Sequence, residues 1–489
     1  MKPTVPKLLL IIALLIVGGC SSLPYDKTSN EIDTRLYQLY IDEYGKLIDP
    51  YTKLPVENGT KDITEKSYVD RILENYRLME ADGYELTVFI HGGLNTFASA
   101  TDRVKEKAEL MLKAKKYPLF ISWDSSGPTN YWDYLMFLRR GELLSWYKTL
   151  LTVPTVIVED FSRSIARIPA SWFNMLDNNS AVAMWKESDE EKDVRWTLYG
   201  RIDAEGNVVV PSLEGYGFNI HNHPDDNDLG IADMWSVPNP IKLVTAPIID
   251  GLGTGAWESM LRRTDLVLLR DSGEELTGKS ETAVTVLFDN LKRDKEVKEA
   301  KMKMEKQSIS NEESIPISSE HVHAEEKITI IGHSMGTIVA NNIIANYPNL
   351  NFERIVYMAG ACRIKDIRGV VSPYLKNNPK AQFFNLTLNP YREMTERNYL
   401  DFLPRGSLLM WIDDTLGDVN SFQDRTAGTW FNIVRAAVET FPADIRSQVH
   451  LTQFGMDDYS PKVHGDFGTF PFWNEIFWTE EYWSNGRKF

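Results

Sequence analysis

Two hydrophobic periodicities alternate along the chain. Short β-branched and aromatic runs at 85–90 (ELTVFI), 118–123, 328–331, 354–359, 382–388 and 449–454 have the length and composition of buried strands. Between them, apolar residues recur at three- and four-residue spacings. Tyr68, Ile72, Leu73, Tyr76 and Leu78 do so within 63–81, which predicts a helix, and further helices are expected over 98–116, 281–306, 335–347 and 472–483. Strands alternating with helices in this way predict an α/β fold with a mostly parallel sheet flanked by helices.

About 200 residues separate the strand ending near Trp123 from the one beginning near Ile328, far more than an ordinary βα connection needs. We therefore divide the chain into a first core part (35–125), a large cap-like insertion (126–326) and a second core part (327–489). Within the insertion, 150–158 is an apolar run. Residues 196–210 read as a hairpin about Gly206-Asn207. The Ser- and Glu-rich stretch 307–326 reads as a mobile linker.

The chemistry begins at Gly332-His333-Ser334-Met335-Gly336, a G-x-S-x-G. A chain of this length contains such a pattern by chance roughly one time in six. Its setting adds weight: it follows an apolar strand and opens a helix, the strand–turn–helix arrangement of a nucleophile elbow. The glycines suit a turn in which backbones approach closely, and a helix N-terminus favours developing negative charge. In such an arrangement the N–H after the nucleophile, that of Met335, is one oxyanion donor, and a loop after an earlier strand supplies the other. His91-Gly92-Gly93-Leu94 follows the 85–90 strand.

With VFIHGGLNTF, ISWDSSG and IIGHSMG in this order, the chain resembles the α/β-hydrolase superfamily. The closest likeness is to bacterial members with an HGFN-like loop, a W-P-S-like strand end and a GHSMG elbow; Asp124 stands where that branch favours proline. The resemblance implies Ser334 as nucleophile, Gly93 as second oxyanion donor with Leu94 as fallback, and a histidine base after the last strand. Of eight histidines, His464 fits that place. The acid is expected just after the 382–388 strand. Glu393 is the first choice, Glu396 the second and Asp401 the third, with Asp366 a further alternative after the preceding strand. No cofactor and no metal are implied. His221-Asn222-His223 and His321-Val322-His323 read as polar turn and linker.

The N-terminus bears on location. Lys2 and Lys7 precede an apolar run at 8–17 that is short for a membrane span, and Val17-Gly18-Gly19-Cys20 follows. This resembles a bacterial lipoprotein signal: residues 1–19 as signal peptide, Cys20 as the lipid-modified residue and 20–34 as tether. The expected location is the cell envelope, with the outer membrane favoured in a Gram-negative host because no Asp follows Cys20. The only other cysteine, Cys362, then has no disulfide partner. A net charge of −16 argues against nucleic acid, and 43% hydrophobic residues allow a large core.

These readings converge on a serine hydrolase that cleaves carboxylic esters, lipase- or phospholipase-like, with an acyl ester or lipid as partner and the membrane reached through the anchor. An amidase, peptidase or thioesterase on the same triad, and a non-catalytic envelope scaffold, are the alternatives.

Overall fold

The computed structural model describes residues 32–479, apart from 57–62, 94, 124, 126, 137, 140–141, 144–145, 170, 173–200, 203–207, 210–212, 214, 223–239, 271–279, 310–326, 397–402, 404 and 418. Nine strands form the central sheet: β1 (Gln38–Ile41), β2 (Leu47–Ile48), β3 (Glu85–Ile90), β4 (Lys116–Trp123), β5 (Asn219–Asn222), β6 (Ile328–His333), β7 (Phe352–Met358), β8 (Gln382–Thr387) and β9 (Val449–Gln453). Their order is β2-β1-β4-β3-β6-β7-β8-β9-β5. All neighbours are parallel except β1 and β2. The molecule is thus an α/β protein with a mostly parallel sheet.

The strands form where the apolar runs predict them because both sheet faces are covered. Every residue of β6 is buried, and Ile330, Ile331, Val356 and Leu386 have no exposed surface. The helices used below are α1 (Glu65–Ala81), α2 (Phe97–Lys113), α3 (Gly127–Met136), α4 (Trp146–Ala166), α5 (Pro240–Leu266), α6 (Ala283–Ile309), α7 (Gly336–Asn346), α8 (Ile364–Gly369), α9 (Val371–Asn377), α10 (Pro390–Thr395), α11 (Trp430–Thr440) and α12 (Glu475–Trp478). Reciprocal capping boxes start α1 and α2. Thr64 and Ser67 exchange side-chain-to-backbone hydrogen bonds, as do Thr96 and Ser99, which satisfies donors the first helical turn would leave open.

Three expectations need correction. Residues 38–48 carry two strands at the sheet edge that apolar patterning did not mark, since β1 includes Gln38 and β2 has only two residues. His221 and Asn222 lie in strand β5, paired parallel to β9, and not in a polar turn. The 126–326 segment supplies β5 to the sheet, and its last helix, α6, packs on α1. The C-terminal helix covers only Glu475–Trp478, because Asn474 caps its start and Thr479 is extended. The expected hairpin is present as Arg201–Ile202 paired with Val208–Val209. Most of the linker at 307–326 lies outside the described residues, as do Cys20 and the N-terminal signal.

Candidate functional site

A parallel sheet gathers the carboxyl ends of its strands on one side, and the residues singled out above sit there. Ser334 follows β6 directly. Its φ of 51° lies in the left-handed region that L-residues avoid, a local cost held in place by its surroundings. Ser334 N–H donates to the Met358 carbonyl at 2.9 Å. The Ser334 carbonyl accepts from Ala361 N–H at 3.0 Å, Thr337 N–H at 3.1 Å and the Thr337 hydroxyl at 2.7 Å. Thr337 Oγ1 in turn accepts the Cys362 N–H at 3.0 Å.

The two motif glycines are required by contact. A Cβ on Gly336 would lie 2.1 Å from the Ile90 carbonyl oxygen, and one on Gly332 would lie 2.9 Å from the Thr337 backbone. Both obstacles are backbone, which cannot step aside as a side chain can.

His464 begins a 3-10 turn at Val463's far side, after β9 and the loop that follows it. Its Nε2 lies 2.8 Å from Ser334 Oγ. With Nε2 accepting from the hydroxyl, the ring proton is on Nδ1. The residue is held through its backbone as well. Its N–H donates to Glu396 Oε2 at 2.8 Å, and its carbonyl accepts from His333 Nε2 at 2.9 Å. Burial pushes the His464 imidazole down to about 3 and His333 to about 4, so both rings are neutral at ordinary pH. His464 Nδ1 is buried and has no hydrogen-bond partner among the described residues.

The loop after β3 is shaped by what its carbonyls bond. His91 stacks on Trp123 with centroids 4.4 Å apart, and its Nε2 accepts the Trp123 N–H at 3.0 Å. The proton is therefore on Nδ1, which donates to the Gly92 carbonyl at 2.6 Å. That carbonyl also accepts from Asn95 Nδ2 at 2.9 Å and Ser125 Oγ at 3.3 Å. Because a trans peptide points its C=O and N–H in opposite directions, the Gly93 N–H faces away from this cluster. Neither the Gly93 nor the Met335 N–H has an intramolecular acceptor among the described residues. The two are neighbours, since a Cβ on Gly93 would come within 2.8 Å of Met335 Sδ. Leu94 and Asp124 lie outside the described residues.

The expected acids separate cleanly. Glu393, on α10, does not meet His464: its Oε1 accepts from Ser407 Oγ and its Oε2 is buried without a partner. Burial pushes it up to about 8. The sequence pointed to Glu393 because it is the first carboxylate after the strand, but helix α10 starts at once and turns its fourth residue inward. Glu396 is one helical turn further, just past the end of α10, and is the carboxylate found at His464. Burial raises it to about 7, opposed by the bond from the His464 N–H. Asp366 accepts the Arg363 N–H and closes the first turn of α8, away from His464. Asp401 lies outside the described residues.

Sequence reasoning passed over Thr337, His333 and Gly428. A Cβ on Gly428 would strike the Gly360 nitrogen at 2.1 Å, so this glycine lets 426–429 lie against the turn beside Ser334. The helices from 126–326 also reach the site. Met260, on α5, covers Gly93, with its Cε 2.7 Å from where a Cβ on Gly93 would be. Ser334 is 1% exposed and His464 7%.

Elsewhere, His221 Nε2 and His450 Nδ1 lie 3.1 Å apart, and His450 Nε2 meets Gln382. Among the described residues, no group of three or more His, Cys, Asp or Glu side chains is placed to hold a metal ion, and no helix is long and apolar enough to cross a membrane. Compared with protein-family models, curated proteins and solved structures, the chain matches none.

Proposed function

We propose that this protein is a serine hydrolase of the α/β-hydrolase type that cleaves carboxylic esters through an acyl-enzyme. The observation that carries the reading is the Ser334 Oγ to His464 Nε2 hydrogen bond at the tip of a strained strand-to-helix turn, beside two unengaged backbone N–H groups.

In the forward step Ser334 Oγ attacks the ester carbonyl carbon and its proton passes to His464 Nε2. The carbonyl oxygen becomes an oxyanion that accepts from the N–H groups of Met335 and Gly93. Collapse breaks the carbon–oxygen bond to the alcohol, which leaves with the proton from His464. Water then gives a proton to the same Nε2, attacks the acyl carbonyl and releases the acid. Imidazolium forms twice in this cycle, in a site that holds the ring neutral by burial. A carboxylate near the ring would offset that cost, and Glu396, whose Oε2 accepts the His464 backbone N–H, is our choice for that role. Helices α3 to α5 act as the cap, and the apolar side chains they bring favour an acyl chain as substrate.

The test is labelling with a fluorophosphonate in detergent micelles, wild type against Ser334→Ala. Labelling confined to the wild type is the expected result, with hydrolysis of p-nitrophenyl esters lost about 10³- to 10⁶-fold in the variant. A folded wild-type protein that neither labels nor hydrolyses any ester of a chain-length panel overturns the reading and leaves the envelope scaffold as the alternative.

A further inference from the structure

Helix α4 carries its largest apolar side chains on its exposed face, and the neighbouring end of α5 adds to that surface. On α4, Leu151, Pro154, Val158, Phe161 and Ile165 recur at three- and four-residue spacings, which puts them on one face, and that face is exposed. Leu151 is 81% exposed and Phe161 65%. The opposite face of the same helix is buried and, beside Val156, carries polar groups. Asp160 accepts from the hydroxyls of Tyr131 at 3.1 Å and Tyr134 at 3.3 Å, and Ser164 donates to the Asp160 carbonyl at 2.9 Å.

The pairing with α5 continues in the same manner. Asp250, with no exposed surface, accepts from Ser171 Oγ at 2.6 Å and pairs with Arg167 at 2.7 Å. Gly251 allows α5 to approach Asp160 and Ser164. At the end where the two helices meet, Trp172, Ile241 and Val244 extend the exposed apolar surface, and the Trp172 indole N–H donates to the Leu243 carbonyl at 2.8 Å.

A helix in water buries its apolar face and shows its polar one. The reverse order suits an apolar solvent, in which polar groups must find partners inside the protein. We propose that the outer face of α4, with the α4–α5 junction, inserts into the acyl region of a lipid monolayer. Several features of the molecule select lipid as the occupant. The stripe from Leu151 to Ile165 is about 21 Å long at 1.5 Å per residue and carries no isolated charge, since Glu159 is paired with Arg163 at 3.8 Å. An uncharged stripe on a chain of net charge −16 matches a hydrocarbon phase and not an anionic headgroup layer. The apolar run at 8–17 lies just before Cys20, and from Cys20 to Ile32 an extended chain reaches at most about 40 Å, so the expected lipid on Cys20 would hold the chain within that distance of a bilayer. An aromatic at the junction, anchored by its indole N–H, fits the boundary between headgroup and hydrocarbon.

The proposal does not depend on catalysis, and its test is run on the full chain carrying Ser334→Ala. Phe161→Cys and, separately, Leu151→Cys are labelled with an environment-sensitive fluorophore. The parent chain, with Cys362 buried, gives the background, and Leu78→Cys on α1 is the exposed control. The proteins are reconstituted in phosphatidylcholine vesicles with a spin label on the acyl chain. The expected result is a blue-shifted emission at both α4 positions that loses most of its intensity to the acyl-chain quencher, with Leu78→Cys unaffected. Emission at the α4 positions that stays water-like and unquenched overturns the proposal. So does protection that persists in detergent together with dimer formation, which would assign the face to a second copy of the chain.

Discussion

Ser334 and His464 are joined by the Oγ–Nε2 hydrogen bond, and Glu396 holds His464 by its backbone N–H, so each contact has a separate consequence. Glu396 takes the His464 N–H, so replacing it with alanine would remove both a brace and a charge. Gln keeps an acceptor for that N–H and loses only the charge. Glu396→Gln is expected to lower kcat about 10³- to 10⁴-fold with little change in KM, whereas Glu393→Gln stays within about tenfold, measured on a soluble ester. The pH profile separates the roles further. Glu396 is ionised above about 7, and the His464 imidazole titrates far lower, near 3. Activity is therefore expected to rise as pH passes through 7 and to lose that limb in Glu396→Gln. A profile unchanged by that substitution would remove Glu396 as the acid.

At the scale of elements, the strand β6–turn–helix α7 unit is fixed by close approach. Gly336→Ala would set a methyl group 2.1 Å from the Ile90 oxygen, in the adjacent strand's exit. It is expected to cost more than about 4 kcal/mol, seen as a failure to fold or a large fall in Tm. Gly93→Ala meets only the flexible ends of Met260 and Met335 and is expected to fold. Much of this unit was legible in the sequence. A four-residue β-branched run followed by a serine between two glycines has few other structures open to it, and His464 stood out by its position after the last strand. The acid was not legible. Glu393 lies within α10 and Glu396 three residues on, just past its end, and which one bonds the His464 backbone depends on where α10 begins and ends. Edge strands β1, β2 and β5 were hidden for a related reason: they are short and carry polar residues such as Gln38, His221 and Asn222, so periodicity had little to register.

For the molecule as a whole, burial of ionisable groups sets the pH range of stability. His91, His333, His450 and His464 are held near 3 to 4 against 6.5 in an unfolded chain. The unfolded chain takes up their protons first as pH falls, so their contribution is complete above 6.5 and is lost toward 3. Glu393, Glu396 and Asp413 are raised to about 8, 7 and 7, above their unfolded 4.5, 4.5 and 3.8. Their contribution is complete below those unfolded values and is lost as pH rises through the folded ones. The two sets oppose each other between about 4.5 and 6.5. Tm is expected to fall on both sides of that window, and Glu393→Gln is expected to flatten the alkaline arm, measured by thermal unfolding across the range.

The near-complete enclosure of Ser334 has a kinetic meaning. With 1% of its surface open and Met260 of α5 lying against Gly93, access of an ester to Oγ is expected to require a movement of α5. Labelling by a fluorophosphonate should then saturate at high probe concentration, at a plateau rate that belongs to the protein and not to the reagent. If the same helices rest in lipid, that plateau should rise when vesicles are added, and the bilayer becomes a reactant in the rate law without being cleaved.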